Sequence, residues 1–147
     1  MGNADKEFMG ADEYGRPLKG LGVNFLVRDV GRSVAFGRDV LGAVVAYADR
    51  DFAVLRYATA RAAAEWMLHA DGTYHANPLL TLLDDSAPRG LGAEIRLYDC
   101  DPDQAVARAQ AHGHHVLQEA SDKPHGLREA YILDPDGYCW VPGRPKG

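Results

Sequence analysis

The chain has 147 residues, 46% of them hydrophobic and 25% charged, which is enough to bury one core without staples and suits a single domain. Its 16 basic and 21 acidic residues leave a net charge of −5 with no basic run, which argues against a nucleic-acid partner, and no apolar stretch approaches the ~20 residues of a membrane span. Two cysteines, Cys100 and Cys139, are too few for a disulfide framework and suit a reducing, cytoplasmic compartment. Residues 1–19 are polar, with Gly15, Arg16 and Pro17 near their end, and read as an arm or an added edge element. A β-branched and aromatic run over 23–27 predicts a strand. Asp29 precedes a helical pattern over 32–41, set by Val34, Phe36, Val40 and Leu41, weakened by Gly37 and stopped at Gly42. Three short strands follow over 43–47, 52–57 and 64–69. A linker over 72–92 carries Pro78, Asp84-Asp85, Pro88 and Gly90 as breakers, with an apolar helical turn near Leu79. A connection of that length points to a functional or interface loop.

The order of elements then begins again. Residues 93–98 alternate as a strand, Asp101-Pro102-Asp103 opens a helix that ends at Gly113, and strands are predicted over 115–118, 128–133 and 138–141. The last two are joined by Asp134-Pro135-Asp136-Gly137, a tight-turn sequence. A strand–helix–strand–strand–strand order therefore occurs twice, at a spacing of ~70 residues.

Two stretches carry a resemblance. Val27-Arg28-Asp29-Val30-Gly31-Arg32-Ser33-Val34-Ala35-Phe36 with Asp39-Val40-Leu41-Gly42-Ala43 resembles the opening of the vicinal oxygen chelate superfamily. That grouping comprises glyoxalase I, bleomycin-resistance proteins and extradiol dioxygenases. Asp122-Lys123-Pro124-His125-Gly126-Leu127-Arg128-Glu129, followed by Asp134-Pro135-Asp136-Gly137-Tyr138, is similar to its closing hairpin. The resemblance implies an α+β fold of two βαβββ modules that curl into an open-barrel cup. In those terms residues 20–142 are one domain, with module one over 21–71, the linker over 72–92, module two over 93–142 and a tail over 143–147.

The resemblance also implies where a divalent metal would be held. Seven residues before Asp29 and Asp101 stand Gly22 and Glu94; the position after the closing turn is Val141, and its counterpart in module one lies near Met67. Glu94 is a good donor and His69 or Glu65 a further candidate, but Gly22 and Val141 offer none. The expected metal set, Glu94 and His69, is thus incomplete; no cofactor is expected, although a divalent metal remains an alternative. Alternation places Glu94, Arg96 and Tyr98 on one face, with Asn24 on the matching face of module one. The candidate ligand-binding residues are Asn24, Trp66, His69, Glu94, Arg96, His125 and Arg128. The expected function is binding of a small organic ligand between modules, in a homodimer. The alternatives are a metal-dependent lyase, isomerase or dioxygenase with a displaced ligand set, and a structural or regulatory dimer.

Overall fold

The computed structural model describes residues 10–73 and 77–147. Residues 1–9 of the arm and 74–76 of the linker lie outside the described residues. A one-turn helix, α1 (Ala11–Gly15), precedes module one: β1 (Asn24–Val27), α2 (Val30–Asp39), β2 (Val44–Ala48), β3 (Phe52–Ala58) and β4 (Ala63–Ala70). Module two repeats the order as β5 (Glu94–Tyr98), α3 (Pro102–Ala111), β6 (His115–Asp122), β7 (Leu127–Leu133) and β8 (Cys139–Pro145). Each module folds into a four-stranded sheet, ordered β1-β4-β3-β2 and β5-β8-β7-β6, in which the first strand runs parallel to the last. The protein is α+β, two βαβββ modules, as the resemblance implies.

Short-range chemistry sets the element starts. Asp29 accepts from the Arg32 amide at 3.0 Å and so begins α2 two residues earlier than the apolar period suggests. Asp101 accepts from the amides of Asp103 and Gln104, and Pro102 fills the first turn of α3. Gly37 has a packing reason: a Cβ there would lie 2.4 Å from Leu55 Cδ2, so only glycine lets α2 settle on β3. β8 extends past the predicted end and makes residues 143–145 strand rather than tail.

One core joins the modules. Phe25, Val27, Ala53, Leu55, Trp66 and Leu68 lie beneath α2 and run into Leu97, Ala130, Ile132 and Trp140 beneath α3. The Trp66 and Trp140 rings meet at 4.9 Å, and Phe25 packs on Trp140 at 5.7 Å and on Tyr138 at 4.9 Å. Each indole buried this way contributes on the order of 4 kcal/mol through removed apolar surface.

Ion pairs lock the same junction. Asp136, in the turn between β7 and β8, is buried and accepts from both the amide and the guanidinium of Arg28 at 3.1 Å each. Arg28 thus reaches a carboxylate 108 residues away. The linker closes the arrangement through Arg89, which donates to Asp71 at 2.8 and 2.6 Å and to the Leu26 carbonyl at 2.8 Å, and lies 3.9 Å from Asp136. Gly137 is needed here as well, since its φ is +98° and a Cβ would sit 2.7 Å from Pro88. The long linker therefore has a structural task. Among the described residues no helix is long and apolar enough to cross a membrane.

Removing the Asp136 charge leaves Arg28 without its carboxylate and part of Arg89's compensation. Asp136→Asn is expected to lower the urea-unfolding free energy by about 3 kcal/mol. Asp12→Asn, in the exposed pair with Arg16, is expected to leave it unchanged.

Candidate functional site

In each sheet one set of alternating residues builds the core, and the other faces away from the helix. In module two that outward face carries Glu94, Arg96 and Tyr98 of β5, Glu129 and Tyr131 of β7, and Cys139 and Val141 of β8; Glu94 is level with Cys139 and Arg96 with Val141. Arg96 is central. Its Nη1 donates to Glu94 Oε2 at 2.9 Å, its Nε to the Tyr98 hydroxyl at 3.3 Å, and its Nη2 to Glu129 Oε2. His125 Nε2 lies 3.3 Å from the same Glu129 oxygen.

The two carboxylates differ in access, with Glu129 at 2% side-chain exposure and Glu94 at 44%. Burial works against the Arg96 charge, but hydrogen bonds to Tyr98, Glu94 and Glu129 more than offset it and raise its pKa. Burial, then the negative charges of Glu94 and Glu129, push the Tyr131 phenol up. The result is a fixed guanidinium between a buried and an accessible carboxylate, each of its nitrogens already donating to a protein oxygen.

The other predicted residues separate. Asn24 and His69 share the outward face of module one, where His69 Nδ1 lies 2.5 Å from Asn24 Oδ1. Trp66 belongs to the core, on the opposite face of β4 from His69. Arg128 is turned to the helix side, donating to Asp103 at 2.8 Å through Nε and Nη2 and to Asp122 at 3.2 Å. Glu94, Arg96 and His125 converge, His125 through Glu129, and Trp66 lines a cavity of about 470 Å³ together with Glu94 and Arg96. Sequence reading omits Glu129 and Tyr131 from the site; a lone acid beside Ala130 in an apolar strand was the available signal, because a buried carboxylate demands a partner. Burial pushes the Cys100 and Cys139 thiols up, which suits neither to nucleophilic work. Among the described residues no three His, Cys, Asp or Glu side chains are grouped to hold a metal ion.

The sequence profile of the Glyoxalase/Bleomycin resistance protein/Dioxygenase superfamily matches residues 22–141. The chain belongs to that superfamily. Solved structures agree on its fold. TioX from Micromonospora sp. ML1 is 22% identical, with a TM-score of 0.60 over 88% of this chain and 98% of that one. A glyoxalase/bleomycin resistance protein/dioxygenase family enzyme from Burkholderia phytofirmans PsJN is 20% identical, with a TM-score of 0.63 over 84% and 96%. The fosfomycin resistance protein FosX from Listeria monocytogenes is 16% identical, with a TM-score of 0.61 over 88% and 95%. No curated protein matches the chain.

Within this member of the superfamily, burial lowers the pKa of both His69 and His114. The folded state binds protons less readily than the unfolded chain, so their contribution is complete above an unfolded pKa near 6.5 and is lost as pH falls below it. Asp134, pushed up to about 6 by burial, acts in the opposite sense, adding stability as pH falls from about 6 to about 4. Unfolding free energies measured across pH 5–8 should therefore fall less on acidification in the His69→Asn/His114→Asn double variant than in the parent. The difference between the two curves isolates the histidine contribution.

Proposed function

We propose that this superfamily member binds a small organic ligand on the outward face of module two, with Arg96 supplying a fixed positive charge in place of a divalent ion. The observation that carries the reading is the position of Arg96 between Glu94 and Glu129. Arg96 already occupies one oxygen of each carboxylate, so a divalent ion would have to displace the guanidinium to be held there. The donor set does not fit a divalent ion either. Glu94 is engaged by Arg96, Glu65 by Arg56 and Tyr14, His69 is bonded to Asn24, and Gly22 and Val141 bring no donor. Arg96 acts as a positioning residue; Glu94 and the Tyr98 ring, 57% exposed, are the groups with access to a ligand. Such a face suits a molecule with a hydrogen-bond donor for Glu94 and a flat apolar part for Tyr98. The names of the superfamily and of FosX each include resistance to an antibiotic, which supports an organic ligand in general.

A half-cup needs a second wall. The exposed Leu21, Leu91, Tyr98 and Leu117 support a homodimer in which another copy supplies it.

The test pairs metal analysis with ligand screening. Protein purified without chelator or histidine tag is expected to carry no stoichiometric metal, and its melting temperature is expected not to rise with zinc, iron, manganese, nickel or magnesium. Aromatic amines and related donors should raise the melting temperature of the parent but not of Glu94→Ala. A stoichiometric ion would overturn the reading in favour of a metal-dependent enzyme. An equal response in Glu94→Ala would remove the site from module two.

A further inference from the structure

The two modules share one plan, yet their outward faces differ. On module two that face is open at Glu94 and Tyr98. On module one Leu26, Val54 and His69 point away from α2 and are nevertheless only 3%, 1% and 7% exposed. The linker covers part of this face through Arg89, which bonds to Leu26 and Asp71 of module one, and α1 covers another part.

Tyr14 is the one α1 residue that is not fully exposed. Its hydroxyl donates to Glu65 Oε1 at 2.7 Å, and its ring meets the edge of Phe52 at 6.2 Å. Glu65 in turn accepts from Arg56 Nε at 2.5 Å through its other oxygen. Burial alone would raise the Glu65 pKa, but the bonds from Arg56 and Tyr14 lower it, so the acceptor stays charged. Burial and Glu65 together push the Tyr14 phenol up to about 12, so the donor keeps its proton. The pairing is a charge-assisted hydrogen bond between a neutral phenol and a carboxylate already oriented by a guanidinium.

The rest of the described arm is not packed down. Residues 15–22 are exposed, and a cavity of about 530 Å³ lies between the arm and β4, lined by Tyr14, Leu18, Leu21, Val23, Glu65 and Met67. Among the described arm residues, one aromatic side chain beside open space makes the attachment.

We infer that Glu65, Arg56 and Phe52 form a phenol-binding subsite on module one, filled by the chain's own Tyr14 and open to a free phenol-bearing ligand that displaces it. The chemistry is general: an acceptor fixed by a cation, an aromatic edge for the ring, and space for a substituent where the arm now runs. It does not rest on the ligand reading of module two, since none of the three residues belongs to that sheet, although Glu65 lines a cavity with Glu94 and Arg96.

The probe is p-cresol, with toluene as the control that lacks the hydroxyl, and the parent and each variant carry Glu94→Ala so that the face proposed on module two does not respond. Tyr14→Ala should melt below the parent, and millimolar p-cresol should restore much of the loss whereas toluene should not. The apparent affinity of the parent for p-cresol should be roughly ten-fold weaker, because the arm competes. Tyr14→Ala/Glu65→Ala should lose the phenol-specific gain. A gain equal in parent and Tyr14→Ala, retained without Glu65, or matched by toluene would overturn the inference. If Tyr14→Ala does not fold, titration of the parent decides: the Tyr14 ring resonances should move to free-peptide positions as p-cresol saturates, and unmoved resonances overturn the inference.

Discussion

A carboxylate taken out of water must find a cation, and two such carboxylates organise this molecule. Asp136 is buried in the closing turn of module two and is met by Arg28 from module one, with Arg89 of the linker nearby. Glu129 is buried in the middle strand of module two and is met by Arg96. Desolvating either acid costs several kcal/mol unless its guanidinium is present. The first pair fixes how the modules sit against each other. The second fixes the one face that remains open. Between these anchors lies the shared aromatic core of Phe25, Trp66 and Trp140, which does not discriminate among orientations as charged pairs do.

The same constraint links fold to function. A guanidinium held by two carboxylates and a phenol cannot reorient without breaking its own bonds, so Arg96 is a fixed charge rather than a mobile arm. The proposed function rests on this fixed organic cation at the centre of one wall. The asymmetry of the modules adds to this. One outward face is covered by the linker and by Tyr14, whereas the other presents Glu94 and Tyr98.

Much of the fold was legible because its punctuation is local. Asp29, Asp101 with Pro102, and Asp134-Pro135-Asp136-Gly137 act within a few residues of themselves, and each begins or turns the element expected of it. Strand alternation likewise placed Glu94, Arg96 and Tyr98 on one face, where two of them bond to the third. The site was only partly legible because its decisive contacts span sheets. Arg96 meets Glu129 across 33 residues, and Arg28 meets Asp136 across 108. Registers that bring such residues level come from the whole sheet, not from one strand. Trp66 and His69 share a strand, but their separation of three residues puts them on opposite faces, and only Trp66 lines a cavity with Glu94 and Arg96.

The central claim is that Arg96 answers the buried charge of Glu129 and so holds the open face together. A double-mutant cycle in urea unfolding, with Arg96→Met, Glu129→Gln and the two combined, measures it directly. The expected result is a coupling energy of about 2 kcal/mol or more, with the double variant less destabilised than the sum of the singles. Losses that add to within about 0.5 kcal/mol would mean that the two groups act independently, and would contradict the account.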